Sequence, residues 1–193
     1  MKQSTLKFPS QIDFGFCPVG ETAKAEITVT NSTREETTFV WLSKEPYFIT
    51  PQHGTIPGRK QQVFQISFLP TTASRFDGTL ICRFGKDLLE KAELVAIGVA
   101  KVPHISLSTS YIDFGKVPSS AKAVQTLTIH NSAPVPATVD IESDFNQFIV
   151  QPTKIALKPE GTETIKITFH PTNFDFYAFA NIKCCTAGGN SAT

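Results

Sequence analysis

The stretches Ile12-Asp13-Phe14-Gly15 and Ile112-Asp113-Phe114-Gly115 are the same four residues, and 112 minus 12 gives an offset of 100 in a chain of 193 residues. Further landmarks recur at that offset: Pro18 and Pro118, Asn31-Ser32 and Asn131-Ser132, Phe48-Ile49 and Phe148-Ile149. Later the offset becomes 101, where Phe68-Leu69-Pro70-Thr71 is matched by Phe169-His170-Pro171-Thr172. One inserted loop residue explains this drift, so the chain is predicted to be one module written twice.

The length of the repeat sets the domain organisation. A period of about a hundred residues is too long for a solenoid repeat and suits a complete domain. We therefore expect two domains, residues 1–101 and residues 102–193, each able to bury a modest core.

Alternation of apolar and polar residues predicts strands throughout. In the run from Thr22 to Asn31, Ala23, Ala25, Ile27 and Val29 share one face, which is the pattern of a half-buried strand. Short runs of this kind, separated by turn residues and with hardly any helix, predict an all-β fold of two antiparallel β-sandwiches. The predicted strands include 11–14, 22–31, 37–43, 61–69, 76–84 and 92–100 in the first half, and 111–114, 123–131, 137–141, 162–170 and 176–184 in the second.

The repeated motif residues have structural roles in such a sandwich. Phe14 and Phe114 are predicted to fill the core, and the glycine after each can take backbone angles that a side chain forbids. Asn31 and Asn131 are predicted to bond to their own turns. Because these residues recur with the fold, we interpret them as structure and not as a site.

The cysteines point to a reducing compartment. Cys17, Cys82, Cys184 and Cys185 do not recur at the offset that the other landmarks follow, whereas a framework disulfide would repeat with its domain. We expect four reduced thiols in a cytoplasmic protein. The start of the sequence has no signal-peptide pattern, and no apolar run reaches the length of a membrane span.

Charge and motifs exclude several functional classes. The net charge is +1, from 18 basic and 17 acidic residues without a basic run, so neither nucleic acid nor an anionic membrane is expected as a partner. The four histidines lack metal-ligand spacing, and no nucleophile elbow or phosphate-binding glycine loop occurs. We predict no catalytic residue, no cofactor, no metal and no small-molecule substrate, and an enzyme is the least favoured hypothesis.

Taken together, these motifs resemble the ASH domain, a family named after the microcephaly spindle protein, a centrosomal scaffold and Hydin. The resemblance rests on the Ile-Asp-Phe-Gly stretches, on the strands that end in Asn31-Ser32 and Asn131-Ser132, and on the Phe-x-Pro strand ends. It implies an immunoglobulin-like sandwich of the PapD and major-sperm-protein (MSP) type. The tandem copies joined through Gly98–Pro103 are most similar to the arrays of Hydin-type flagella-associated proteins.

Two functions follow from this resemblance. The first is a non-enzymatic scaffold module in a cilium, a flagellar axoneme, a centrosome or a basal body, with axonemal or centrosomal proteins as partners and tubulin among the candidates. The alternative is an MSP-type trafficking adaptor that binds short peptide motifs on other proteins. An adaptor of that type needs clustered basic residues, whereas here they are scattered, for example Arg59-Lys60, Arg83 and Lys86.

The last residues predict an incomplete second sandwich. An offset of 101 places Thr193 level with Ala92, where the last strand of the first half begins, so the second domain is expected to lack its final strand. A piece of a longer chain or a naturally open sandwich would both give this ending. We expect the second domain to be the less stable one. A partner-binding edge is predicted along the 176–184 strand, at Tyr177, Phe179, Asn181 and Lys183.

Overall fold

A computed structural model describes residues 5–172 and 177–193, and the chain divides into two compact units, Met1–Lys101 and Val102–Thr193. We call them unit 1 and unit 2. Both are built from strands, as the sequence predicted. Over the described residues there is no helix with the length and apolar character needed to cross a bilayer.

Unit 1 is a sandwich of two sheets with the strand orders β1-β3-β7-β5 and β2-β9-β8-β4-β6. All pairs are antiparallel except β2 with β9, which run parallel. The strands are β1 Leu6–Lys7, β2 Gln11–Pro18, β3 Ala23–Asn31, β4 Thr37–Leu42, β5 Tyr47–Thr50, β6 His53–Ile56, β7 Gln61–Phe68, β8 Arg75–Phe84 and β9 Glu90–Lys101.

The core of unit 1 is aromatic. Phe39 and Trp41 alternate along β4 and meet Phe64 of β7, with ring centroids 5.0 Å and 5.9 Å from it. All three side chains are fully buried, as the period-two pattern of these strands requires. Edge-to-face packing of this kind adds to the free energy gained from burial alone.

Unit 2 has two four-stranded sheets with the orders β10-β11-β15-β13 and β14-β12-β16-β17. Its fully buried large side chains are aliphatic, Ile105, Ile129 and Ile141 among them. The strands are β10 Ile105–Leu107, β11 Ala123–Asn131, β12 Ala137–Ser143, β13 Phe148–Gln151, β14 Lys154–Leu157, β15 Thr162–Phe169, β16 Ile182–Thr186 and β17 Ser191–Ala192.

The repeated motif forms the same local structure in both units. Asp13 Oδ1 accepts a 2.8 Å hydrogen bond from the Gly15 backbone N–H, and Asp113 Oδ1 accepts one of the same length from Gly115. The two glycines have φ values of 65° and 62°, in the left-handed region. Phe14 and Phe114 are both half-buried, so they are less buried than the core residues that they were predicted to be. Each packs against the core of its own unit.

The two turn asparagines are buried and bonded, as expected, but they also reach beyond their own turns. Asn31 Nδ2 donates to the Glu35 carbonyl at 2.8 Å, and its Oδ1 accepts from the Thr33 backbone at 2.9 Å. Asn131 Nδ2 donates to Val135 at 2.7 Å within its turn. Each therefore fixes the exit of a long strand.

Two of the predicted strands, 111–114 and 176–184, are wrong. None of residues 111–118 belongs to a strand, although β2 at the matching place in unit 1 does. β2 is held as a strand by its hydrogen bonds to β9. The counterpart of β9 in unit 2 is β17, which extends over only two residues. The predicted 176–184 strand begins instead at Ile182; residue 176 lies outside the described residues, and 177–181 form no strand.

The predicted match of Phe48 with Phe148 is also wrong. In β5 it is Tyr47 that is buried and level with Phe68, whereas Phe48 is 41% exposed. In β13 it is Phe148 that is buried and level with Phe169. The inserted residue therefore precedes Phe148, so the offset is already 101 at this strand.

Candidate interaction edge of unit 2

The last strand of unit 1 shows what the second sandwich is built to hold. β9 lies between β8 and β2, with Val95 level with Thr79 on one side and Gln11 on the other. Its alternate residues point inward, and Leu94 and Ala96 are completely buried. In this way β9 closes one side of the sandwich.

Unit 2 holds only the beginning of such a strand. Ala192 of β17 is level with Cys184, just as Ala92 of β9 is level with Cys82. β17 ends there, one residue before Thr193, so the described residues do not include counterparts of Leu94–Lys101. We call this position, between segments 111–118 and 177–182, the open slot.

The backbone of segment 177–182 is aimed at the open slot. The Asn181 N–H donates to Asp144 Oδ1 at 2.8 Å, and the Asn181 carbonyl accepts from the Asp144 N–H at 3.2 Å. Backbone groups of neighbouring residues in an extended chain point to opposite sides. The N–H and C=O of Ala180 and Ile182 therefore face the open slot.

The floor of the open slot is an aromatic pair that is less covered than its counterpart. Phe148 and Phe169 stack with centroids 4.5 Å apart, and each is 8% exposed. In unit 1 the equivalent Tyr47 and Phe68 are 2% and 0% exposed, with Tyr47 beneath Gly78 of β8 and Phe68 beneath Gly98 of β9. Phe114 packs against both unit 2 rings, with centroids 5.5 Å and 5.8 Å away.

The four residues predicted for the edge lie on the outward face of their segment. Tyr177 and Phe179 are 98% and 85% exposed, while Ala178 and Ala180 between and beside them pack against the core. Asn181 also donates its side-chain amide to Asp144 at 2.7 Å. Lys183 lies in β16 opposite Glu142. The rings of Tyr177 and Phe179 are therefore accessible to a partner, whereas Asn181 is hydrogen-bonded to Asp144 within unit 2.

Sequence reasoning missed Tyr111, which is 76% exposed on the other flank of the open slot. Its counterpart in β2 is Gln11, and the counterparts of Tyr177 and Phe179 in β8 are Arg75 and Asp77. In unit 1 these last two form an exposed ion pair with a 3.0 Å contact. The replacement of polar residues by three aromatic ones was visible in the sequence, but only with the correct offset of 102 at this strand.

Electrostatics near the open slot is mild. The hydrogen bonds from the Asn181 side chain and backbone lower the pKa of Asp144, which favours the ionised acceptor. Burial, with a smaller contribution from neighbouring Cys185, raises the pKa of the Cys184 thiol to about 11. The described part of the chain brings no three His, Cys, Asp or Glu side chains together in a group suited to a metal ion.

Comparison with known proteins places these features in a family context. The family model for the HYDIN/CFA65/VesB-like, Ig-like domain matches residues 4–97 and again residues 103–187. Cilia- and flagella-associated protein 65 of Chlamydomonas reinhardtii is 25% identical over 190 residues, which cover 96% of this chain and 9% of that protein. Hydrocephalus-inducing protein of Mus musculus is 26% identical over 129 residues, covering 67% of this chain and 2% of that protein.

Among solved structures, the ASH/PapD-like domain 7 of human CEP192 aligns with a TM-score of 0.47 at 13% identity. The alignment covers 51% of this chain and 86% of that domain. The chain spans less than a tenth of the length of the two sequence relatives above.

Proposed function

The chain belongs to the HYDIN/CFA65/VesB-like Ig-like domain family, and from that membership we propose that it is a non-enzymatic interaction module of a ciliary or flagellar protein. The Hydin-type resemblance drawn from the sequence is thereby confirmed. One observation carries the proposal: a cilia- and flagella-associated relative aligns along 96% of the chain, through both sandwiches.

The surface of unit 2 supports a binding role. Tyr177 and Phe179, two residues apart in sequence, both expose their aromatic rings. Single exposed apolar residues are common, whereas exposed aromatic residues close together favour protein contacts. Tyr111 on the opposite flank adds a third exposed ring. We therefore place the partner-binding surface of this module on unit 2, at the outward face that carries Tyr177 and Phe179.

The partners that fit this proposal are other proteins of the axoneme or centrosome, including tubulin. A scaffold role means that the module holds such proteins together without changing them chemically. The nearly balanced charge of the chain, +1, implies that shape and apolar contact would dominate recognition.

Proximity labelling in ciliated cells tests the proposal. The chain, fused to a biotin ligase, is expected to label axonemal or basal-body proteins above a ligase-only control. A matched variant, Tyr177→Ser with Phe179→Ser, keeps the core residues Ala178 and Ala180 and is expected to lose part of that labelling. Labelling concentrated at the endoplasmic reticulum would contradict the ciliary role and favour an MSP-type adaptor.

A further inference from the structure

We propose that unit 1 binds an extended segment of a separate partner protein along residues 75–79 of β8, and that this segment adds to the five-stranded sheet with a basic residue opposite Asp77. We call residues 75–79 the free edge of β8. The site lies on unit 1, apart from the unit 2 surface assigned above, and so it goes beyond the proposed function.

On one side, β8 is only partly covered. Its pairing with β4 ends where Leu42 is level with Ile81, and the chain then crosses to the other sheet, where Tyr47 begins β5. On its other side, β8 pairs with β9 along its full length. Within the part of the chain that the structure describes, the free edge therefore has a neighbouring strand on one side only, which leaves room for another strand.

The backbone groups of Asp77 and Thr79 point out of the free edge. Gly85, just past the end of β8, donates from its N–H to the Thr38 carbonyl of β4 at 3.1 Å. Backbone groups of successive strand residues point to opposite sides, so the odd-numbered residues of β8 face the side of β4. Among residues 5–172 and 177–193, nothing bonds to the backbone of Asp77 or Thr79 on that side.

Unit 2 closes the equivalent position. Asp144 follows β12 as Lys44 follows β4, and Asn181 is the counterpart of Thr79 at the offset of 102. The Asn181 N–H, carbonyl and side-chain amide bond to Asp144 at 2.8 Å, 3.2 Å and 2.7 Å. In unit 1 the Lys44 carbonyl accepts instead from the Tyr47 N–H at 3.0 Å. The free edge is thus a feature of unit 1 that its own repeat lacks.

A groove of about 340 Å³ lies along the free edge and is bounded on its other side by the crossing segment that holds Pro46. The Tyr47 ring takes the space of a side chain at Gly78, where a Cβ would lie 2.6 Å from two ring carbons. The Tyr47 hydroxyl donates to the Phe76 carbonyl at 3.0 Å, which holds the ring in place. An added strand therefore finds a preformed apolar recess for the side chains that it points inward.

The charges beside the free edge favour a basic residue in the added strand. Asp77 and Asp13 lie in one row across the sheet, on either side of Ile97. Arg75 contacts Asp77 at 3.0 Å and balances one of these two carboxylates. A residue opposite Asp77 extends this row, so Lys or Arg is favoured there over an acidic residue.

A second copy of the chain fits this edge poorly. A two-fold pairing centred on Asp77 places the two Asp77 side chains directly opposite each other, where like charges are destabilising. It also places Phe76 opposite Gly78, and that ring already packs against its own core. A register with Arg75 opposite Asp77 leaves Thr79 opposite the loop before β8. A short extended segment of another protein meets none of these obstacles.

The test uses a synthetic peptide, Gly-Ser-Thr-Leu-Lys-Leu-Thr-Ser-Gly, as the probe and the full isotope-labelled chain. NMR spectra are expected to show saturable shifts of the Asp77 and Thr79 amides and none at Asn181. A peptide methylated on the backbone nitrogen of its lysine is expected to bind about tenfold or more weakly, because that N–H bonds to the free edge. A peptide with Glu in place of Lys is expected to weaken in the same direction. These comparisons leave the protein unchanged.

A pair of protein variants locates the binding. Lys44→Asp with Thr79→Asn installs the residues that close the position in unit 2 and is expected to weaken peptide binding by about tenfold. Lys44→Gln with Thr79→Ser changes the same two positions without that pair and is expected to leave binding unchanged.

The proposal is overturned if the peptide leaves the Asp77 and Thr79 amides unshifted, or if the methylated peptide binds as well as the original. It is also overturned if those amides shift with the concentration of the chain alone and the Lys44→Asp, Thr79→Asn variant abolishes the effect, since a second copy would then occupy the free edge.

Discussion

Asn31 donates a 2.9 Å hydrogen bond from its side-chain amide to the backbone carbonyl of Ile56. Asn31 ends β3 in one sheet and Ile56 ends β6 in the other, so this bond joins the two layers of unit 1. In unit 2 the amide of Asn131 donates at 3.1 Å to the carbonyl of Lys158, just after β14. Both asparagines are completely buried.

Replacement of these asparagines should be costly. Asn31→Ala removes the amide donor to the carbonyls of Glu35 and Ile56, and we expect the free energy of unfolding of unit 1 to fall by about 3 kcal/mol. Asn131 makes fewer hydrogen bonds than Asn31. We therefore expect Asn131→Ala to lower the free energy of unfolding of unit 2 by about 2 kcal/mol. Urea denaturation measures both. Exposed Asn146→Ala is the matched control, and a loss at Asn31 as small as at Asn146 would contradict the role assigned here.

These asparagines show what the sequence can and cannot reveal. Their repetition beside turn residues predicted the bond to the local backbone, because that bond joins residues close in sequence. The contact from Asn31 to Ile56 spans the two sheets, and a single sequence does not show which strands will face one another. The sandwich class was therefore predictable, whereas the ties between its layers were not.

Unit 2 is expected to unfold before unit 1. Within residues 102–172 and 177–193 no strand as long as β9 is present, and Phe148 and Phe169 are more exposed than Tyr47 and Phe68 in unit 1. The only tryptophan of the chain, Trp41, lies in the core of unit 1 and reports that unit alone. In a urea titration, loss of far-UV circular dichroism should start before the change in tryptophan fluorescence. Coincident curves would show that the two units are equally stable or unfold together.

The half-buried motif phenylalanines should each matter to a moderate extent. Phe14→Ala loses ring contacts at 6.0 Å with Tyr47 and 5.6 Å with Phe68. Because the side chain is only half-buried, we expect a loss of about 2 kcal/mol in the free energy of unfolding, and a similar loss for Phe114→Ala. Exposed Phe16→Ala is the control in the same strand. A cost below about 0.5 kcal/mol for both motif variants would mean that the motif does not anchor the sandwich.

Alkaline pH should destabilise both units through buried groups that resist ionisation. Burial raises the pKa of Cys82 from 9.0 to about 12 and of Tyr47 from 10.0 to about 12 in unit 1, and that of Cys184 from 9.0 to about 11 in unit 2. A raised folded pKa gives stability that is complete below the unfolded value and is lost as pH rises through the folded value. The thermal midpoint of unfolding should therefore decrease as the pH is raised above about 9.

Cys184→Ala provides the control for that pH dependence. The variant should flatten the loss of stability of unit 2 between about pH 9 and pH 11, even if its stability at neutral pH is lower. An unchanged slope would mean that Cys184 does not titrate as described.

Thiol labelling tests the expected redox state. Cys185 is partly exposed, whereas Cys17, Cys82 and Cys184 are buried. In the folded chain one thiol should react quickly with a thiol reagent and three should react only on unfolding. Reductant should leave the thermal midpoint unchanged. A drop of several degrees on reduction would reveal a disulfide instead.

The errors made from sequence have a common physical cause. The dipeptides Phe48-Ile49 and Phe148-Ile149 are identical in sequence. A shift of one residue, however, moves a strand residue to the opposite face of the sheet, and the structure shows that Tyr47 is the buried residue. Residues 111–114 repeat the sequence of a strand and keep its turn, but a strand also needs a neighbour. For the same reason, the predicted edge residues proved to lie on the outward face, while the backbone facing the open slot belongs to Ala180 and Ile182.

The parallel pairing of β2 with β9 has a mechanical consequence. Gln11 is level with Val95 and Pro18 with Lys101, so a pull that separates Gln11 from Lys101 acts along both strands. Their hydrogen bonds are then loaded in shear and must break together, instead of opening one after another like a zipper.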